Sequence, residues 1–179
     1  MLEKKKILRK IIKVRVSAIS ADEKAKREKL LLDNLFSMPE FLAANTVMLF
    51  ANLPDEIGTF SLIDKCIAMG KKVFLPVING DDMTACEFTG DYKIGKYAIK
   101  EPLTPHSSLL TPHSVDFILV PGVAFSPNGY RLGRGKGYYD KFLSKYSNLF
   151  TVGVCFREQF YLDIPTEPHD IPMHKVIVC

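Results

Sequence analysis

The sequence predicts an α/β fold: a three-layer α/β/α sandwich around a mostly parallel, Rossmann-like sheet, in a single domain spanning residues 1–179. Three observations predict it. Short apolar runs of strand length alternate with helical segments, which requires crossover connections and a sheet covered on both faces. The 179 residues hold no repeat, low-complexity tract or Gly/Ser linker, and their length suits one domain of about 100–200 residues. A Gly-rich stretch leaves an apolar run and enters a helical pattern, as ligand loops do beyond the carboxyl ends of parallel strands.

The elements follow in order. Leu2, Ile7, Leu8, Ile11 and Ile12 give a first helix its apolar face, with Lys and Arg between them. SADE at 20–23 is a capping box, the Ser20 hydroxyl taking a backbone N–H and Glu23 reaching back. It opens a second helix that ends near Phe36 and offers Leu31, Leu32 and Leu35 for burial. SMPE at 37–40 repeats the start signal for a short third helix. TVMLFA at 46–51 reads as a buried strand. Thr59 caps a helix to about Met69, with Phe60, Ile63 and Ile67 on one face and Gly70 as its stop. Strands follow at 72–77, at 83–88 on a sheet edge, and at 116–120. Residues 89–114, rich in Pro, Thr, Ser and His, form a long surface excursion that carries His106 and His113. A helix from about Tyr138 to Tyr146, a strand at 150–154 and a last strand at 176–178 complete the chain. Three loops then lie where ligands bind: 52–58, 121–137 and the tail after Val154.

Composition excludes several classes. A hydrophobic fraction of 47% with a net charge of only +4 argues against disorder. No apolar run approaches the roughly 18 residues of a membrane helix. The charged N-terminus has no apolar run after it, which argues against a secretory signal. Four cysteines, at 66, 86, 155 and 179, form no CxxC pair and read as buried free thiols in a reducing cytoplasm. The dispersed charge predicts no nucleic-acid partner, because acids Glu3, Asp22 and Glu23 interrupt the basic N-terminal stretch. The expected partners are small molecules, with no membrane, and the expected state is a monomer. The four histidines show no HExxH or paired metal spacing, and His169, beside Asp170, is given no role.

PGVAFSPNGYRLGRGKGYYD at 121–140 carries the chemistry. Gly129, Gly133, Gly135 and Gly137 let the backbone adopt unusual conformations and approach a ligand closely. Arg131, Arg134 and Lys136 place three cations within six residues. Glycines and cations at a strand-to-helix turn predict a polyphosphate cradle. It is not a P-loop, since Gly135-Lys136 is followed by Gly137 and Tyr130 stands where the first glycine should be. It is not a dinucleotide fingerprint either, being GxGxG and late after its strand. Tyr138 and Tyr139 either stack on a flat ligand ring or pack on the sheet. Asp140 either complements the helix dipole or binds Mg²⁺ beside phosphates.

The run NGYRLGRGKGYYD at 128–140 resembles the signature of the 5-formyltetrahydrofolate cyclo-ligases, also called 5,10-methenyltetrahydrofolate synthetases. The resemblance extends over nearly the whole chain, through the basic N-terminal helix, Asp55-Glu56 after a strand, Pro121-Gly122, and PHDIP at 168–172. It implies an α/β sandwich and an ATP- and Mg²⁺-dependent ring closure. The formyl oxygen of 5-formyltetrahydrofolate takes the γ-phosphoryl group to form an iminium phosphate, N10 attacks the activated carbon, and phosphate leaves. It implies that ATP is held by Lys5, Arg9 and the run Arg131, Leu132, Gly133, Arg134, Gly135, Lys136, Gly137, Tyr138 and Tyr139. The folate would meet Ala51, Glu56, Arg134, Gly135, Lys136, Gly137 and Tyr138. Arg134 and Lys136 would be catalytic, and Asp140 and Asp170 would hold Mg²⁺, directly or through water. Glu56 suits its place, since a carboxylate accepts hydrogen bonds from pterin N–H groups. Two rival readings are a non-catalytic phosphate-binding module, which needs neither Glu56 nor a metal, and a nucleic-acid binder using the basic helix.

Overall fold

A computed structural model of the chain describes residues 1–95, 100–103, 115–146 and 149–179. Its strands are β1 (Thr46–Met48), β2 (Lys72–Asn79), β3 (Asp82–Glu87), β4 (Tyr92–Ile94), β5 (Lys100–Pro102), β6 (Phe117–Val120), β7 (Ala124–Phe125), β8 (Arg131–Leu132), β9 (Phe150–Cys155) and β10 (Lys175–Val178). Its helices are α1 (Leu2–Ser17), α2 (Ala21–Phe36), α3 (Pro39–Ala43), α4 (Phe60–Ala68) and α5 (Tyr138–Leu143). The central sheet has six strands in the order β10-β9-β6-β1-β2-β3. All neighbours pair in parallel except the β2–β3 hairpin, which turns at Gly80 and puts β3 on the edge. The expected α/β architecture and the edge position of 83–88 are therefore what the chain adopts.

Alternation along the strands divides the core in two. Val47, Leu49, Val73, Leu75, Phe117, Leu119, Val152 and Val154 face one way, where α1, α2, α3 and α4 supply Ile12, Val16, Leu31, Leu35, Phe41, Leu62 and Ile63. Met48, Phe74, Ile118, Val120 and Cys155 face the other way, against Phe125, Phe142 and Leu143. Four helices thus cover one face, and α5 with the loop after β6 covers the other. β6 is buried along its whole length, as a strand covered on both faces must be.

The strand order places the site. From β1 the chain moves outward to β2 and β3, then returns to the other side of β1 with β6 and moves outward again through β9 and β10. The direction reverses between β1 and β6, so the loops leaving these adjacent parallel strands part and open a crevice.

Several elements differ from expectation. α1 buries Lys5, Ile12 and Val16, while Leu2, Ile7 and Ile11 are exposed. Positions 5, 9, 12 and 16 form one helical stripe, and its two cations have fixed partners across the fold, so that stripe rather than the most apolar one faces inward. Ser20 does cap α2, accepting the Glu23 N–H at 3.2 Å, but the Glu23 carboxylate turns to Arg27 instead of closing the box. Ser37 ends α2, and α3 starts from Met38 with Pro39 in its first turn. Thr59 gives α4 no side-chain cap; its hydroxyl donates to the Phe50 carbonyl, and its N–H donates to Asn52 Oδ1. That links both ends of the loop after β1. α4 buries Leu62, Ile63 and Cys66, with Ile67 exposed. α5 stops at Leu143. Within the expected excursion at 89–114, β4 and β5 pair as a hairpin, and the stretches 96–99 and 104–114, with His106 and His113, lie outside the described residues.

Candidate active site

The Gly-rich stretch begins as a small hairpin. β7 pairs antiparallel with β8 across a turn in which Gly129 N donates to the Ser126 carbonyl. Gly129 has φ +81°, and its own N–H and carbonyl tie the turn on both sides, the carbonyl accepting Met173 N at 2.8 Å. A Cβ here would meet the Met173 carbonyl oxygen at 2.3 Å, so only glycine fits. SPNG at 126–129 is a turn sequence that the helix and strand periodicities pass over. The hairpin delivers Arg131 and the glycine turn 133–137 to the mouth of the crevice.

Arg131 is buried, and its guanidinium holds Asp140 Oδ1 at 2.8 Å and the Ile171 carbonyl at 3.1 Å. Burial holds its pKa below the usual arginine value, and the Asp140 charge offsets this only partly. Arg134 reaches the other way, to Asp55 at 2.7 Å and Glu56 at 2.9 Å. Glu56 is enclosed, with 9% of its side chain exposed, and also accepts the Leu53 N–H at 2.9 Å. Burial pushes its carboxyl above the ordinary carboxylate range, with the Leu53 N–H and Arg134 pulling the other way. In Asp55 burial also acts upward, but the hydrogen bond and charge of Arg134 prevail and hold it below the ordinary value. One guanidinium thus serves two carboxylates in opposite states of hydration.

From the far side, α1 closes on the turn. Arg9 Nε donates to the Gly133 carbonyl at 2.8 Å, and its guanidinium lies beside Gly135. Burial lowers the Arg9 pKa, and no acid pairs with it among the described residues. Lys5 binds Glu167 at 3.3 Å and Asp170 at 3.4 Å. Glu167, His169 and Asp170 bring their ligand atoms within 4.8 Å of one another. Lys136 is exposed and makes no ion pair among the described residues.

A cavity of about 300 Å³ lies between these groups. Phe50, Ala51, Leu53 and Glu56 come from the loop after β1, Pro76, Ile78 and Met83 from the β2–β3 hairpin, and Pro121 and Gly122 from the end of β6. Arg131, Gly133, Arg134, Lys136, Gly137, Tyr138, Tyr139 and Asp140 close it. A second cleft of about 170 Å³ lies between α1 and the turn, lined by Arg9, Lys13, Asp55 and Gln159, and Arg134 borders both. An open-mouthed, largely apolar cavity beside a cationic cleft suits a flat organic ring next to a charged group.

Most of the residues singled out in the sequence therefore converge. Ala51, Glu56 and the turn surround the first cavity, Arg9 backs the turn, and Lys5 and Asp170 pair one step away. Leu132 packs into the core, so it offers a ligand only its backbone. From sequence Asp55 is noted but given no role, and Glu167 and the apolar wall at Pro76, Ile78 and Met83 are passed over. Asp55 stood beside a residue already singled out, whereas nothing local marks Glu167 or the wall.

The 5-formyltetrahydrofolate cyclo-ligase family profile matches residues 1–179. The chain belongs to that family. It is 31% identical to a probable 5-formyltetrahydrofolate cyclo-ligase of Caenorhabditis elegans, over 98% of this chain and 92% of that one. It is 34% identical to a probable enzyme of the same name from Schizosaccharomyces pombe, over 78% of each. Its fold matches the solution structure of Aquifex aeolicus 5,10-methenyltetrahydrofolate synthetase with a TM-score of 0.86 and 31% identity, over 97% of this chain and 89% of that one. Each of the two carboxylates keeps an oxygen that a divalent cation could take: Asp140 commits Oδ1 to Arg131 and Ile171 N, and Oδ2 takes no hydrogen bond among the described residues. Asp170 directs Oδ2 to Lys5 and Glu167 N, leaving Oδ1 beside His169 at 3.8 Å. A free carboxylate oxygen is a hard donor of the kind Mg²⁺ takes, and among the described residues the ligand atoms that converge are those of Glu167, His169 and Asp170.

Proposed function

We propose that this chain converts 5-formyltetrahydrofolate to 5,10-methenyltetrahydrofolate in folate one-carbon metabolism, consuming ATP with Mg²⁺. The observation that carries the proposal is the convergence of Glu56, Arg134 and the glycine turn on one cavity at the strand-order reversal. The pterin occupies the 300 Å³ cavity, against Ala51 and the apolar wall, with Glu56 accepting its N–H groups. ATP lies along residues 131–139, its phosphates on the turn backbone and near Lys5 and Arg9, with Arg131 fixing the base of the turn. Asp140 and Asp170 would hold Mg²⁺, which neutralises phosphate charge when bound.

The formyl oxygen belongs to an amide and is a poor nucleophile, so positioning and charge neutralisation must lower the barrier. It attacks the γ-phosphorus as the bond to ADP breaks, giving the iminium phosphate. N10 then attacks the activated carbon, the ring closes, and the phosphate leaves. Arg134 and Lys136 stabilise the charge of the transferring group, and the apolar wall keeps water from the activated carbon. Arg134 touches folate and phosphate together because it stands between the two cavities. The four cysteines are all buried and unpaired, which fits the reducing cytoplasm we propose for it. Among the described residues no helix is long and apolar enough to cross a membrane.

The test is direct. Purified protein given 5-formyltetrahydrofolate, Mg²⁺ and ATP should develop the absorbance of the methenyl product, with one ADP formed per ring closed. Folded protein that forms no product and turns over no ATP with this folate would overturn the proposal.

A further inference from the structure

Tyr138 and Tyr139 both line the large cavity, yet their hydroxyls differ. Tyr138 donates to the Gly80 carbonyl at 3.2 Å. The Tyr139 hydroxyl oxygen is fully enclosed and has no hydrogen-bond partner among the described residues. A buried hydroxyl left unmatched weakens the fold, so its persistence points to a ligand that satisfies it. The Arg131 guanidinium lies over the Tyr139 ring, 5.9 Å from the ring centre.

Glu56 shares that cavity. Its oxygens receive one hydrogen bond each, from Leu53 N and Arg134, and a carboxylate has about four acceptor positions. Among the described residues two acceptor positions thus remain, in the cavity that Tyr139 also lines. The pyrimidine half of a 2-amino-4-oxopterin shows the complementary row along one edge: an amino donor, a ring N–H donor and a carbonyl acceptor.

We propose that Tyr139 donates its hydroxyl hydrogen to the 4-oxo group of the pterin while Glu56 accepts from the amino and ring N–H groups, making Tyr139 a specificity residue for the folate. This deepens the folate reading above and rests on it. It moves the Tyr139 hydroxyl from the nucleotide to the other substrate.

The experiment compares wild type with Tyr139→Phe, measuring Kd by calorimetry for 5-formyltetrahydrofolate, for its 4-amino-4-deoxy analogue, and for a non-hydrolysable ATP analogue. The 4-amino group offers a donor where the 4-oxo group accepts. Tyr139→Phe should weaken the 4-oxo compound about tenfold and shift the 4-oxo/4-amino affinity ratio by about the same factor, one hydrogen bond's worth of discrimination. ATP-analogue affinity should not change, and the melting temperature should hold or rise, because the variant removes an unmatched polar atom. An unchanged ratio, a loss confined to the ATP analogue, or a lower melting temperature would each overturn the assignment. Wild-type protein that binds neither folate would overturn the folate reading itself, an outcome distinct from an unchanged ratio.

Discussion

Arg134 Nη2 stands 2.9 Å from Glu56 Oε1 and ties the glycine turn to the loop after β1 across the mouth of the cavity. The pair joins residues 78 positions apart, and Asp55 shares the same guanidinium. Glu56 is enclosed and Arg134 is 46% exposed, so the arginine is the partner free to turn toward a phosphate.

Glu56→Gln should separate binding from stability. The folded-state pKa of Glu56 lies above its unfolded value, because burial disfavours the charge. Its contribution to stability is therefore fully present below the ordinary carboxylate value and is lost as pH rises through the raised value. At neutral pH the glutamine variant should melt about 2–4 °C higher, the effect of roughly 1 kcal/mol in a chain of this size. The two curves should meet under acid conditions. The same variant should raise the folate KM far more than the ATP KM. A melting difference that does not vary with pH would contradict this account.

Arg131 and Asp140 should respond unequally. Arg131→Ala leaves the Asp140 carboxylate only the Ile171 N–H and the Ile171 carbonyl no guanidinium donor, and breaking a buried pair this way costs about 3 kcal/mol. Asp140→Asn keeps the shape and an acceptor oxygen for Arg131, so it should cost less stability while losing most of the Mg²⁺-dependent turnover. Urea denaturation and a Mg²⁺ titration of activity measure the two effects.

Two glycines should give opposite results. Gly129→Ala pushes a Cβ into the Met173 carbonyl and demands φ +81° of alanine, so it should unfold or strongly destabilise the protein. Among the described residues no atom outside its chain neighbours lies within 4 Å of the Gly133 Cβ position, and its φ is not positive. Gly133→Ala should melt within about 1 °C of wild type, as a change that meets no atom should, yet bind an ATP analogue more weakly, because the added methyl stands where phosphate approaches the backbone. Equal ATP-analogue affinity would place the phosphates elsewhere.

Lys136→Ala should act on the rate. Lys136 is exposed and pairs with no acid among the described residues, so its loss should not change the melting temperature. If it meets charge that develops during phosphoryl transfer, kcat should fall about 10²–10³-fold with a smaller change in KM. A KM effect alone would make it a ground-state contact.

The sequence by itself determined the local structure. Hydrophobic period and glycine placement arise from backbone geometry, so the strands near 46, 72, 83, 117, 150 and 176 and the glycine–cation turn could be read before any fold was known. Even there, packing overruled pattern: the stripe of α1 that faces inward carries Lys5 and Arg9, because their partners await them, and the exposed Ile7 and Ile11 belong to the stripe that the pattern favoured. Only the tertiary structure decided the contacts between distant residues. Lys5 meets Asp170 across 165 positions, Arg9 meets Gly133 across 124, and the Tyr139 hydroxyl has no hydrogen-bond partner among the described residues. These contacts follow from strand order, which sets β1 beside β6 and parts their loops, and no local periodicity encodes which strand lies beside which.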